Sequence, residues 1–122
     1  MDLTILIPTR IETEDRLRNI ISSVSYLLKN VPAKVMVKEV SDQNTFKFRA
    51  LPEIKKYADT VHLTHLYEES NDPLFCKSKV LNDMIVAADT NVVANYDADC
   101  ILPIDAYRQA YNAIQDNQLD VV

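Results

Sequence analysis

Short apolar runs of strand length alternate along the chain with longer stretches whose apolar residues recur at helical spacing. This βαβα order constrains the fold more than any other feature, because strands joined by helical crossovers form a parallel sheet with helices on both faces. Leu3-Thr4-Ile5-Leu6-Ile7, stopped by Pro8, has the length and composition of a buried parallel strand. A helix follows: Thr13 can cap it, Glu14 and Asp15 suit its first turn, and Leu17, Ile20, Ile21, Val24, Leu27 and Leu28 share one face. Asn30, Val31 and Pro32 end it. The spacing then predicts a strand within 33–40, a short helix over 51–58, a strand over 61–67 and a loop over 68–73. A second strong helix over 76–88 has Val80, Leu81, Met84, Ile85 and Ala88 inward, and a strand over 91–96 leads to Asp97-Ala98-Asp99. After Pro103, Asp105 can start a helix with Tyr107, Ala110, Tyr111 and Ile114 inward, and Leu119-Asp120-Val121-Val122 reads as the start of another strand.

Glycine is absent from all 122 positions, where average usage of about 7% would give roughly eight or nine. A Walker loop and a dinucleotide fingerprint both need glycine for close backbone approach to phosphate, so neither exists here in standard form. Any phosphate must be held by side chains, a metal or helix ends. With 48% hydrophobic and 25% charged residues the composition is that of one ordinary soluble domain, and no apolar run approaches the length of a membrane span. The chain opens on Met1-Asp2 and enters a strand at once, with no signal or transit peptide, which gives the expectation of a cytoplasmic protein. Cys76 and Cys100 are too few for a disulfide framework and read as small buried residues in a reducing compartment. Residues 1–61 carry 10 basic and 8 acidic side chains, residues 62–122 carry 3 and 10. The acidic second half would repel nucleic acid and could receive a divalent cation. His62 and His65, three apart on a strand, point to opposite faces and read as structural.

Ligands of parallel sheets collect beyond the carboxyl ends of the strands. Four segments should converge there: 8–12, 39–42, the approach to helix 76–88, and 97–99. Asp97 and Asp99 point to one side if the strand persists and suit a hard cation such as Mg²⁺ or Mn²⁺, although a turn or helix cap is the ordinary use of such a pair. Lys77 and Lys79 open a helix whose free N–H groups already favour an anion, with Asn82 one turn on; solvated lysines are the bland alternative. Arg10 can bind phosphate or carboxylate oxygens with paired donors, or form a surface salt bridge. Glu12 and Glu39 can accept hydrogen bonds from a ribose or a base N–H, or serve as helix-start and edge residues.

Three of these segments carry a resemblance. Leu3-Thr4-Ile5-Leu6-Ile7-Pro8-Thr9-Arg10 is similar to the opening strand and Pro-Phe-Arg turn of GT-A glycosyltransferases of the family-two type, close to the lactose-synthase-type galactosyltransferases. Phe75-Cys76-Lys77-Ser78-Lys79-Val80-Leu81-Asn82 resembles their Phe-Asn-Arg-Ala-Lys-Leu-Leu-Asn stretch. Asn95-Tyr96-Asp97-Ala98-Asp99 with Leu102-Pro103 resembles the Asp-x-Asp metal motif and the Leu-Pro after it. The motifs occur in the family's order and span nearly the whole chain. The resemblance implies a Rossmann-like GT-A nucleotide-binding half, a mostly parallel sheet with helices on both faces, as a single domain over 1–122. Its nucleotide-binding residues would be Pro8, Thr9, Arg10, Glu12, Glu39, Lys77, Lys79, Asn82 and Asp97. Asp99, with Asp97 beside it, would hold Mn²⁺ or Mg²⁺. The family's Asp-Asp-Gly-Ser turn reads Lys38-Glu39-Val40-Ser41 here, its helix glycine is Met84, and Thr9 and Ile11 stand where aromatic or Asn residues are usual.

The implied reaction is metal-dependent transfer of a sugar from a nucleoside-diphosphate sugar, with UDP favoured, to a saccharide or other hydroxyl acceptor, with inversion. The chain ends 23 residues after Asp99, which gives the expectation of a donor half that lacks its acceptor site and base and is inactive alone. An exposed sheet edge would favour self-association, and a longer form could sit at a membrane surface. A non-catalytic nucleotide-binding or interaction module derived from such an enzyme is the second reading. A phosphoacceptor receiver needs an acidic pair after the first strand, where this chain has Pro8-Thr9-Arg10, and nucleotidylyltransferases use a Gly-rich donor loop.

Overall fold

The structure of the chain, a computed structural model, describes residues 2–96 together with Gln109, Tyr111 and Asn112. The elements run in the order β1 (Leu3–Thr9), α1 (Glu14–Asn30), β2 (Lys34–Ser41), a π-helical turn (Phe46–Ala50) leading into α2 (Leu51–Tyr57), β3 (Leu63–Glu69), α3 (Lys77–Ala87) and β4 (Val92–Asn95). The four strands form one sheet in the order β3-β2-β1-β4, all parallel. The sequence expectation of a parallel α/β sheet with helices on both faces is met.

Alternation along the strands sorts the apolar residues into two cores. Leu3, Ile5, Ile7, Val35 and Val37 face Leu17, Ile20, Val24 and Leu27 of α1, with Phe46, Ala50 and Ile54 completing the layer. On the opposite face Leu6, Met36 and Val40 lie under Val80 and Met84 of α3. Helix α1 forms where its sequence placed it: the Thr13 hydroxyl accepts the Arg16 N–H at 3.1 Å, Glu14 and Asp15 occupy the first turn, and the Val31 N–H closes the last turn on the Leu27 carbonyl at 2.9 Å.

Several boundaries differ from expectation, each for a local reason. β1 does not stop at Pro8. The Leu6 carbonyl accepts from the Tyr96 N–H on the β4 side, so by alternation the Pro8 nitrogen also faces that side, beyond the Leu6↔Asn95 pair where the β1–β4 ladder ends. The missing N–H therefore costs no ladder bond. β3 starts at Leu63 rather than 61, because a turn closed by Val61 N–H to Asp59 Oδ1 (3.0 Å) and Leu63 N–H to the Thr60 carbonyl (3.1 Å) takes the preceding residues. It ends at Glu69 because Glu68 and Glu69 pair with Val40 and Ser41. The π-helical turn before α2 was not foreseen; it places Phe46, Ala50 and Ile54 on one buried face. Ile85, expected inward, is 47% exposed, since α3 meets the sheet through a stripe no wider than Val80 and Met84 with Leu81 and Ala88 half-buried beside it. Cys76, expected buried, is exposed at the start of α3.

Tyr111 is helical, packs against the first core and accepts the Asp2 N–H through its hydroxyl at 2.9 Å, as the inward position expected for it requires. The expectations on Asp97, Asp99, Cys100, Tyr107, Ala110, Ile114 and 119–122 lie outside the described residues. Among the described residues no helix is long and apolar enough to cross a membrane.

Ile5 and Ile20 are 0% and 1% exposed. Ile5→Ala and Ile20→Ala should each cost about 2–5 kcal/mol in urea unfolding, whereas Ile85→Ala should cost less than about 1 kcal/mol. Equal losses at Ile20 and Ile85 would contradict the packing described.

Candidate functional site

Because β1, β2 and β3 run parallel and side by side, their carboxyl ends emerge at one edge of the sheet. The following loops border an open cavity of about 430 Å³. Arg10, Ile11 and Glu12 come from the end of β1, Ser41, Asp42, Gln43 and Thr45 from β2, and residues 70–73 from β3. These loops turn without glycine by closing side chains onto backbone. The Ser41 hydroxyl donates to the Gln43 carbonyl (2.6 Å), the Ser70 hydroxyl accepts the Asp72 N–H (3.2 Å) and Asp72 Oδ1 accepts the Leu74 N–H (2.9 Å). The Ser41 carbonyl accepts both the Ser70 N–H and the Tyr67 hydroxyl at 2.9 Å, which joins the β2 loop to the β3 loop.

Glu39 follows Val35 and Val37 on the face of β2 that meets α1, and it is 1% exposed. Its Oε1 accepts the Phe46 N–H at 2.9 Å, which anchors the π-helical turn, while Oε2 is buried with no hydrogen-bond partner. Burial pushes its carboxyl above the ordinary carboxylate range, against the opposing pull of the Phe46 amide, the Ser41 hydroxyl and the Thr45 and Ile11 amides. Three of those neighbours, Ile11, Ser41 and Thr45, line the cavity, so Glu39 lies beneath its floor rather than on its surface.

Arg10 is 8% exposed. Its Nε donates to the Val40 carbonyl (2.7 Å), its Nη1 to the Asp72 carbonyl (2.6 Å), and its guanidinium lies over the Phe75 ring at 5.5 Å. Nη2 is buried without a partner. Among the described residues no carboxylate pairs with it, so the surface salt bridge weighed as an alternative does not form. Glu12, Asp42 and Asp72 give the rim a negative character. The Tyr67 phenol is pushed up by burial first, and then by the charges of Glu69, Glu39 and Asp42. A cavity of this kind is suited to a ligand that offers hydroxyl or ring N–H donors.

Pro8 and Thr9 are half-buried at the end of β1. Lys77, half-buried, opens α3, with Lys79 exposed in the same turn and Asn82 exposed on the next; none of the three lines the cavity. Asp97 and Asp99 lie outside the described residues. Among the described residues no group of three or more acidic, histidine or cysteine side chains is placed to hold a metal ion. His65 rests against Phe46 with ring centroids 5.9 Å apart; burial, then Lys47 and Lys55, push its pKa down. His62 stands before β3, not on it, and its carbonyl accepts the Val35 N–H at 3.0 Å. Sequence reasoning missed the part played by Gln43, Thr45 and residues 70–73. The turn-forming Ser70, Asn71, Asp72 and Pro73 would have marked them, had β3 been placed two residues later.

Neither models of known protein families nor curated proteins give a match to this chain. Solved structures do. TarS 1-349 of S. aureus superposes with a TM-score of 0.66 at 19% identity, over 97% of this chain and 33% of that one. A protein of Desulfovibrio desulfuricans G20, provisionally named a nucleotide-diphospho-sugar transferase, superposes with a TM-score of 0.53 at 17% identity, over 93% of this chain and 55% of that one. The likeness is one of fold, and this chain spans about a third of the length of the first protein and about half of the second.

Glu39 separates charge from hydrogen bonding. Glu39→Ala leaves the Phe46 N–H buried without an acceptor and should cost about 2 kcal/mol or more, while Glu39→Gln keeps an acceptor and costs less. The folded-state pKa of Glu39 is raised above its ordinary 4.5, so the folded form binds the proton more tightly than the unfolded form. The stability this adds is present below pH 4.5 and lost as pH rises through the folded value. In thermal unfolding the wild type should therefore gain on Glu39→Gln as pH is lowered toward 4.5; a difference that stays constant with pH would contradict the buried-acid assignment.

Proposed function

We propose that this chain forms the donor-nucleotide half of a glycosyltransferase that takes a nucleoside-diphosphate sugar, with UDP the favoured nucleotide. The observation that carries the reading is the acceptor-rich cavity of about 430 Å³ beyond the carboxyl ends of β1, β2 and β3, the place where open parallel sheets bind nucleotides. The fold shared with a protein named a nucleotide-diphospho-sugar transferase supports it, as do the three sequence segments that resemble the GT-A family.

In this reading the nucleoside enters the cavity. Glu12 and Asp42 accept hydrogen bonds from ribose hydroxyls or a base N–H, over a floor held by Glu39, with Pro8 and Thr9 the last residues of β1 before it. The diphosphate extends toward the start of α3, where Lys77 and Lys79 supply positive charge, backbone N–H groups favour an anion, and Asn82 can donate from the next turn. Asp97 and Asp99 supply carboxylate oxygens of the type that Mn²⁺ or Mg²⁺ prefers. Such a cation, when bound, acts as a Lewis acid on the diphosphate. The sugar passes with inversion to a saccharide or other hydroxyl acceptor.

Calorimetric titration of UDP into the chain, with and without Mn²⁺, tests the reading. Binding should be metal-dependent in the wild type and at least about tenfold weaker in Asp99→Ala, a loss of about 1.4 kcal/mol. A folded wild-type chain that binds no UDP with the metal present would overturn the proposal.

A further inference from the structure

Arg10 stands at the cavity, and its charge invites the role of a phosphate ligand, yet its nitrogens are largely committed elsewhere. Nε is bound to the Val40 carbonyl at the end of β2, Nη1 to the Asp72 carbonyl in the middle of the β3–α3 loop, and the flat face of the guanidinium covers the Phe75 ring. Nη2 is sealed from solvent. A ligand in the cavity therefore meets Arg10 chiefly through the wall that Arg10 holds.

That wall needs holding. Asn71, Asp72, Pro73 and Leu74 are all exposed, Leu74 at 79%, so apolar burial does not fix this stretch. The Ser70 and Asp72 side chains set its local shape, but these bonds stay within the loop and do not place it on the sheet. Its placement comes from the Ser70 N–H on the Ser41 carbonyl at one end, from Arg10 at its centre, and at the far end from Phe75, which packs against the second core with the Arg10 guanidinium over its ring. We propose that Arg10 is a positioning residue: its guanidinium fork clamps the 70–75 loop to the end of β2, and so keeps the third wall of the cavity in place. Lysine, with one compact ammonium, cannot reach two carbonyls in divergent directions while stacking on a ring. The consequence for ligand binding, though not for the loop itself, rests on the nucleotide reading above.

The test has two readouts on the full chain. In amide hydrogen exchange without ligand, Arg10→Lys and Arg10→Gln should each speed exchange at Ser70, whose N–H crosses from the loop to the Ser41 carbonyl, by about tenfold or more, with the protection of β1, β2 and α1 unchanged. Unchanged exchange at Ser70 overturns the proposal. If Arg10→Lys fails to fold, Arg10→Gln carries the measurement, and no change there is equally decisive against the clamp. The second readout compares uridine with UDP. A positioning role weakens both by the same factor, about tenfold, and leaves their ratio as in the wild type. Loss of UDP affinity with uridine untouched would show a phosphate ligand and refute the assignment. A wild type that binds neither would remove the nucleotide reading while the exchange measurement still decides the clamp.

Discussion

Ile5, Ile7 and Thr9 of β1 sit opposite Val35, Val37 and Glu39 of β2, and these in turn opposite Leu63, His65 and Tyr67 of β3. The rest of the molecule depends on this parallel register. It levels the carboxyl ends of three strands, so three loops distant in sequence share one edge. It also assigns faces, since side chains alternate with a period of two: Val35 and Val37 go under α1, Met36 under α3, and Glu39 inherits a buried position as the next member of the α1-facing row. A slip of β2 by one residue would put Val35 and Val37 on the α3 side and remove Glu39 from the Phe46 amide.

Two charged side chains then act as pillars inside an otherwise polar and glycine-free edge. Glu39 holds the π-helical turn from below, and Arg10 holds the β3–α3 loop from the side. Each bridges elements that the backbone ladder does not connect, and each keeps one buried atom without a partner, Glu39 Oε2 and Arg10 Nη2. Burying such groups incompletely satisfied is costly. The α1 layer behind this edge is built from apolar side chains and a well-capped helix and supplies the rigid support.

How much was legible in the sequence follows from which signals are local. Helix α1 could be read almost residue by residue, because its cap at Thr13 and its apolar stripe from Leu17 to Leu27 lie within one segment. The parallel order of β1, β2 and β3 followed from their spacing by crossover helices. What escaped depends on partners far along the chain. The π-helical turn is anchored by a carboxylate from the preceding strand. The end of β3 at Glu68 and Glu69 is set by pairing with β2, against their polar character. Arg10 advertised its charge, but the carbonyls that take up its nitrogens come from 30 and 62 residues away. The convergence of 8–12 with 39–42 is legible in the sequence, whereas the third wall at 70–73 carries only the signal of a plain loop.

The central claim is that the carboxyl edge of β1, β2 and β3 is a nucleotide site. Mapping of backbone amide chemical shifts on addition of UDP with Mn²⁺ tests it most directly. The account predicts shifts gathered at 10–12, 41–45 and 70–73 and at the first turn of α3, with the amides of α1 and of the amino ends of the strands unmoved. Shifts centred on the outer faces of α1 and α2, or none at that edge, would contradict it.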